Sequence, residues 1–174
     1  MMHDYYKKED ALLIDLYELT MAQSYLREGM LASATFSLFT RKLPSNRSYL
    51  VVAGLEDVLR YLEEIRFSQS DIDYLQTTGI FDSDFLEYLK SFRFTGDVWA
   101  VPEGRLVFQE EPTIEVTASM PEAQVVETLI INQVNLQTLA ASKTSRCVWA
   151  AHGAAVTDFS LRRTQGTDAG MKVA

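Results

Sequence analysis

The stretch DLYELTMAQSYLREG, residues 15–29, predicts the first helix of the fold and the start of its core. Its apolar residues recur at helical spacing, at Leu16, Leu19, Ala22, Tyr25 and Leu26. Asp15 can cap the start of this helix, and Gly29 can end it. The segments that follow predict the other layers.

Strand and helix patterns alternate after this first helix. ATFSLFTRKLP, residues 34–44, has a weak period of two, and Pro44 closes the strand that it predicts. Helices are predicted over residues 54–65, 68–79 and 83–92. Two further strands are predicted over residues 97–104 and 105–118. We therefore expect an α/β fold in which a helical layer covers a sheet, as in an α+β sandwich.

The last two of these strands are expected to turn alternate side chains toward the core. Those side chains are Val98, Ala100, Leu106, Phe108, Ile114 and Val116. The alternation assumes that residues 105–118 run as one uninterrupted strand.

A long helical segment follows, because residues 122–151 contain no Pro or Gly and their apolar residues recur every three or four positions. The pattern predicts one long helix, or two helices with a bend near residues 132–135. His152 and Gly153 end the segment, and AAVTDFSLRR, residues 154–163, predicts another strand. This helix, turn and strand resemble the beginning of a βα-type domain.

Composition excludes several classes of function. The formal net charge is −8, and the Lys and Arg residues are scattered, which argues against a nucleic-acid surface. Cys147 is the single cysteine, so no internal disulfide is possible and a reducing compartment is indicated. The sequence has neither a signal peptide nor an apolar stretch near the roughly 20 residues that span a membrane. We expect a soluble cytoplasmic protein with no nucleic-acid or membrane partner.

General catalytic motifs are absent from the sequence. It has no phosphate-binding or dinucleotide-binding glycine loop, no paired-cysteine metal site and no nucleophile elbow. His3 lies in a polar N-terminal stretch and His152 at a helix end, and both are interpreted as structural.

Three features stand out against this background. Tyr17 lies among apolar neighbours, where it either packs at the rim of the core or contacts a ligand. Arg41 is either a solvated charge or part of an anion site, because a guanidinium can bind phosphate through two nitrogens. Phe159 and Arg162 form either part of an edge strand with a salt bridge or the end of a strand in a pocket. The residue types alone leave these alternatives open.

Six stretches together resemble nicotinate phosphoribosyltransferases, members of the type II phosphoribosyltransferase family. In chain order they are LLIDLYELTMAQSYLREGM, ATFSLFTRKLP, YLVVAGLEDVL, FTGDVWAVPEG, EAQVVETLIINQVNLQTL and DFSLRRTQG. The resemblance runs from about residue 11 to residue 174 and corresponds to the first part of such an enzyme.

The resemblance implies an enzyme that joins nicotinate to 5-phosphoribosyl 1-pyrophosphate (PRPP), giving nicotinate mononucleotide and pyrophosphate in NAD biosynthesis. It also implies coupled ATP hydrolysis, Mg²⁺ that holds the phosphates, and a homodimer with active sites shared between subunits. The family fold is an α/β sandwich on an irregular α/β barrel. Residues 1–120 are therefore expected to form the sandwich, and residues 121–174 the long helix and the first strand of the barrel.

The resemblance also implies substrate-binding residues. The tyrosine of DLYELT is Tyr17, which is expected to reach the neighbouring subunit's pocket and stack on the pyridine ring. Phe159 is expected to pack against the opposite face of that ring, and Arg162 to face the substrates. Arg41 matches a basic position that related enzymes use for the pyrophosphate of the neighbouring subunit's substrate.

Two departures from the family pattern matter. Ser160 stands where the family motif DFGLRR has Gly, so a positive φ or a close ligand approach at that point would strain the backbone. The family's phosphorylated histidine lies beyond residue 174, and neither His3 nor His152 matches it. We therefore expect no catalytic residue in these 174 residues, and little or no activity from them alone.

Other functions stay open at this stage. The chain could act as a non-catalytic dimerisation or interaction module, because the family's subunit boundary uses this region. The acceptor base could also be nicotinamide or quinolinate, although the motifs DLYELTMAQ and FSLRR favour nicotinate.

Overall fold

The computed structural model describes residues 10–174, and no helix in that range is long and apolar enough to cross a membrane. The α-helices are α1 (Leu16–Arg27), α2 (Leu55–Glu64), α3 (Gln69–Thr77), α4 (Ser83–Ser91), α5 (Met120–Val125), α6 (Glu127–Ala150) and α7 (Thr167–Val173). The strands are β1 (Ser33–Phe39), β2 (Leu50–Val51), β3 (Asp97–Ala100), β4 (Leu106–Val107) and β5 (Pro112–Ser119). Two short 3-10 helices cover Asp10–Leu12 and Leu161–Arg163. The predicted α/β fold is confirmed.

Local signals explain where the first four helices begin and end. Asp15 precedes α1 in extended conformation, as predicted, although its side chain makes no capping hydrogen bond. Ser68 and Asp71 form a reciprocal capping box at the start of α3. At α4 the cap is Asp82, whose carboxylate accepts from the Phe85 amide at 2.8 Å. The four predicted helices are thus confirmed to within two residues at each end.

Strand β5 lies at the centre of a three-stranded antiparallel sheet with the order β1-β5-β3. Val116 on β5 is opposite both Phe36 on β1 and Val98 on β3. Ile114 and Val116 are buried against the helices, whereas the other face of the sheet carries polar pairs such as Ser37 and Glu115. Strands β2 and β4 form a separate antiparallel pair.

The sequence prediction for residues 105–118 is wrong in register. A turn at Glu110, with φ of 65°, separates β4 from β5, so these residues are two strands in two different sheets. Leu106 and Phe108 are therefore 55% and 49% exposed instead of facing the core, and Val107 is buried in their place. The turn breaks the continuous alternation that the prediction assumed.

Helices α5 and α6 divide the long helical segment at Val126. Two helices were one of the predicted alternatives, but the bend near residues 132–135 is wrong. Pro121 lies in the first turn of α5, and α5 packs against α1 and the sheet. The start of α6 is buried too, through Leu129 and Ile130. Burial at the junction, and not a glycine or proline, marks the break.

The predicted strand over residues 154–163 is absent. Helix α6 ends at Ala150, His152 and Gly153 beyond it both have positive φ, and the chain is then irregular up to the 3-10 helix Leu161–Arg163. A parallel strand needs a neighbour to pair with, and none of the strands in the described range lies beside this segment. Backbone bonds such as the one from the Arg163 amide to the Ser160 carbonyl, 2.7 Å, are local instead. The division of the chain at residue 120 stays a prediction.

Helix α2 begins at a glycine that no other residue can replace without strain. Gly54 has φ of 99°, and a Cβ placed on it would lie 2.8 Å from the backbone oxygen of Gln133 on α6. The Glu103 carboxylate caps this helix start, because it accepts from the Gly54 and Leu55 amides at 2.6 and 2.7 Å. This junction holds α2 against α6.

Gly54→Ala is expected to lower the free energy of unfolding by about 2–4 kcal/mol, because the methyl group adds a backbone clash to the cost of the left-handed conformation. Gly79→Ala is the matched control, since Gly79 also has a positive φ but open space around it. The control should lose only about 1 kcal/mol. Urea unfolding followed by circular dichroism measures both losses, and equal losses would contradict the close approach.

Candidate functional site

The side chain of Tyr17 lies at the surface where α1 meets the start of α6. The apolar face of α1 buries Leu19 and Ala22, which leaves Tyr17 on the boundary of that face and 49% exposed. Its hydroxyl donates to the Oε1 atom of Glu127, the first residue of α6, at 3.2 Å. One edge of the phenol is therefore fixed, and part of the ring is open to a ligand.

Glu127 is itself held in place from α5. Its second carboxylate oxygen accepts from the Nε2 atom of Gln124 at 2.7 Å, and Gln124 is buried. Tyr17, Glu127 and Gln124 thus form a hydrogen-bonded chain that runs from the surface into the core across three helices.

Glu18, the next residue on α1, is only 1% exposed. Its Oε1 atom accepts from the Thr128 hydroxyl at 2.6 Å, and its Oε2 atom accepts from the Thr128 amide at 3.3 Å. The Thr128 hydroxyl also accepts from the Asp15 amide at 3.1 Å. Because Val126 offers α6 no side-chain cap, a carboxylate from α1 caps the start of α6 instead.

These contacts change the acidity of both α1 side chains. Burial raises the pKa of Glu18 to about 7, against the opposing effect of its hydrogen bonds to Thr128, and the nearby Glu127 carboxylate raises it further. Desolvation and the carboxylates of Glu127 and Glu18 raise the pKa of Tyr17 to about 12. At neutral pH the Tyr17 phenol is therefore a neutral hydrogen-bond donor.

Arg41 lies in the loop that follows β1 and is exposed. The same loop carries Lys42 and Arg47, which line a cavity of about 370 Å³ between the loop and α6. None of these three cations forms an ion pair with a residue in the described range. The loop thus presents positive charge that residues 10–174 do not neutralise by ion pairs.

Phe159 and Arg162 are adjacent but do not lie on a strand. The Arg162 Nη1 atom donates to the Phe159 carbonyl at 3.1 Å, and the Phe159 ring is 74% exposed. Asp158 accepts from the Ser160 amide and hydroxyl, both at 2.9 Å, so a local turn shapes the segment. Ser160 has φ of −92°, so the replacement of Gly causes no left-handed strain in this conformation.

The two rings that are predicted to enclose the ligand, those of Tyr17 and Phe159, do not meet in the described part of the chain. The Phe159 ring makes no ring contact in the described part of the chain, so it does not meet Tyr17 there. His152 contacts Trp149, with ring centroids 6.2 Å apart, and His3 lies outside the described residues. Residues 10–174 contain no group of three or more His, Cys, Asp or Glu that could hold a metal ion.

Sequence reasoning missed Glu18, Glu127 and Gln124. One signal was available, because α6 begins without Ser, Thr, Asp or Asn at its cap position, and its first amides must then find an acceptor elsewhere. That signal does not say which carboxylate supplies the acceptor.

Comparison with known proteins reveals clear relatives. Residues 12–135 match the model of the nicotinate phosphoribosyltransferase (NAPRTase) N-terminal domain. The chain is 52% identical over 164 residues to nicotinate phosphoribosyltransferase pncB2 of Mycobacterium tuberculosis, covering 94% of this chain and 35% of that protein. It is 42% identical over 173 residues to the Bacillus subtilis nicotinate phosphoribosyltransferase, covering 98% and 35%.

A solved structure has the same fold. The crystal structure of human nicotinic acid phosphoribosyltransferase superposes with a TM-score of 0.82 at 32% identity, covering 93% of this chain and 33% of the human chain. The chain thus spans about a third of the length of these relatives.

The buried Glu18 carboxyl predicts a specific pH dependence of stability. The unfolded chain loses this proton near the ordinary pKa of 4.5, whereas the folded chain keeps it up to about pH 7. The stabilisation from this proton is therefore present below pH 4.5 and is lost as the pH rises through about 7. The loss should be on the order of 1–3 kcal/mol.

Glu18→Gln, which stays neutral at every pH, should flatten this part of the stability profile, whereas Glu122→Gln should keep the wild-type slope. Urea unfolding at a series of pH values measures the three profiles. An unchanged slope in Glu18→Gln would show that Glu18 does not carry the proton.

Proposed function

The chain belongs to the nicotinate phosphoribosyltransferase family, and from this premise we propose that it forms the substrate-contacting first third of an enzyme that joins nicotinate to PRPP. The product would be nicotinate mononucleotide, a precursor of NAD. The observation that carries this proposal is the Tyr17 ring, half exposed at the surface while its hydroxyl is fixed by Glu127.

Tyr17 would stack on the pyridine ring of nicotinate. An aromatic ring that is already fixed at one edge loses little conformational freedom when a flat ligand covers its open face. Phe159, whose ring is 74% exposed, would cover the opposite face of the ligand. Because the two rings do not meet within one chain, the stack would form between two protomers of a homodimer.

The cations Arg162 and Arg41 would serve the anionic parts of the substrates. PRPP carries several phosphate groups, and nicotinate carries a carboxylate, so guanidinium groups suit both. We assign Arg162, beside Phe159, to the substrate that this ring contacts. We assign Arg41 to the pyrophosphate of the neighbouring subunit's substrate, a role that the positive charge of its loop supports.

The residues of this chain would contribute binding and orientation. When the ring nitrogen of nicotinate attacks the ribose carbon, pyrophosphate leaves, and correct alignment of the two substrates lowers the barrier. ATP hydrolysis and Mg²⁺ belong to the same proposal. Residues 10–174 contain no group of three or more His, Cys, Asp or Glu that could hold a metal ion.

The test joins residues 1–174 to the remaining two thirds of the Bacillus subtilis relative and measures formation of nicotinate mononucleotide. The fused enzyme should use nicotinate in preference to nicotinamide and quinolinate, and the 174-residue chain alone should form no product. Tyr17→Ala should lower kcat/KM for nicotinate about tenfold to a hundredfold, because the stacking surface is lost.

Tyr74→Ala is the matched control, since Tyr74 is an exposed tyrosine on α3, and it should leave the kinetics unchanged. An active fusion that is indifferent to Tyr17→Ala would refute the stacking role. Turnover by the 174-residue chain alone would refute the proposal that this part of the enzyme contributes binding and needs the remaining two thirds for activity.

A further inference from the structure

We propose that Glu127 is a positioning residue for Tyr17. Glu127 orients the Tyr17 ring and also makes it more electron-rich. The ring therefore binds the pyridinium formed in the reaction more strongly than the neutral pyridine of the substrate. This inference rests on the proposed function, because it concerns the same ring and the same acceptor base.

The geometry fixes Tyr17 from two sides. Its hydroxyl donates to Glu127 at 3.2 Å, and Gln124 holds the other oxygen of that carboxylate at 2.7 Å. The next residues along both helices are joined as well, because Glu18 accepts from Thr128 at 2.6 Å. Two successive contacts between α1 and the start of α6 prevent these helices from sliding past each other. The ring direction is therefore set before a ligand arrives.

The charge of the substrate base changes during the reaction. The lone pair of the pyridine nitrogen forms a bond to C1 of the ribose, and the bond from C1 to the pyrophosphate oxygen breaks with its electron pair leaving on pyrophosphate. The ring nitrogen, neutral in nicotinate, is then quaternary and carries a positive charge. A group that prefers the cationic ring stabilises the transition state more than the bound substrate.

Glu127 gives Tyr17 this preference. A phenol that donates a hydrogen bond to a carboxylate carries more electron density in its ring, since a charged acceptor makes the hydrogen bond stronger and polarises the donor. An electron-rich aromatic face attracts a cation above it more strongly than it attracts a neutral ring. Glu127 therefore acts on the rate of the chemical step through Tyr17, without touching the substrate.

The hydrogen bond can be tested on the 174-residue chain itself. Tyrosine is labelled with carbon-13 at Cζ, and the Tyr17 resonance among the eight tyrosines is assigned with Tyr17→Phe. Glu127→Gln should shift this resonance and lower the pKa of Tyr17 toward the ordinary value of about 10. Glu122→Gln, a nearby loss of charge on α5, should change neither. A Tyr17 signal that is insensitive to Glu127→Gln overturns the proposal.

The kinetic effect is tested in the fused enzyme described above. Glutamine at position 127 can still accept from the phenol, so Glu127→Gln should leave KM for nicotinate nearly unchanged and lower kcat about three- to tenfold. Glu127→Ala removes the orienting contact too, and should also raise KM. In a Tyr17→Phe background, Glu127→Gln should have no further effect, because the hydroxyl that couples them is gone.

The two proposals fail in different ways. If Tyr17→Ala impairs nicotinate use but Glu127→Gln lowers kcat no more than Glu122→Gln does, the role of Glu127 is refuted and the stacking role stands. If Tyr17→Ala has no effect in the active enzyme, both are refuted.

Discussion

The fold depends on a side-chain carboxyl group of α1 that accepts hydrogen bonds from the start of α6. Glu18 of α1 is buried and accepts both hydrogen bonds that Thr128 offers at the start of α6. A long helix whose first amides lack a local cap needs such an acceptor, and a buried carboxyl without hydrogen bonds would be costly. The start of α6 thus gains an acceptor, and the buried Glu18 carboxyl gains donors. The same contact brings Glu127 against Tyr17, so the stabilising bond also determines where the ring lies.

A second junction follows the same principle. Glu103 accepts from the first amides of α2, and Gly54 lets the backbone of α2 approach α6 closely. In both cases the acceptor is far away in sequence from the helix that it caps. Helix α6 therefore has α1 fixed near its start and α2 fixed further along, and strand β2 and helix α7 also pack against it. The surface that carries Tyr17 is consequently joined to α6 by hydrogen bonds, although the residue itself is half exposed.

The sequence predicts this fold where the signals are local. Helices α1 to α4 carry their own apolar faces, and α3 and α4 also carry capping side chains, so their bounds are found to within two residues. Prediction from the sequence fails where tertiary contacts determine the bounds or the register of an element. The turn at Glu110 shifts the alternation that was assigned to Leu106 and Phe108. No glycine or proline lies at the break at Val126. The acceptor for the Thr128 amide just after the break is Glu18, which comes from another helix, so the local sequence does not mark the break.

The candidate site likewise contains residues that the sequence indicates and residues that only the structure shows. Tyr17, Phe159, Arg162 and Arg41 stand out in the sequence, and resemblance to a family gives them their predicted roles. Glu127 and Gln124, in contrast, lie in a helical pattern that looks like ordinary amphipathic surface and core. Phe159 and Arg162 show the limit most clearly. The strand predicted for them is absent, because a strand exists only when another strand pairs with its backbone, and the local turn at Asp158 binds part of that backbone here. An exposed ring held by a local turn gains a defined place only when another surface covers it, which is the condition that a shared site between two protomers would meet.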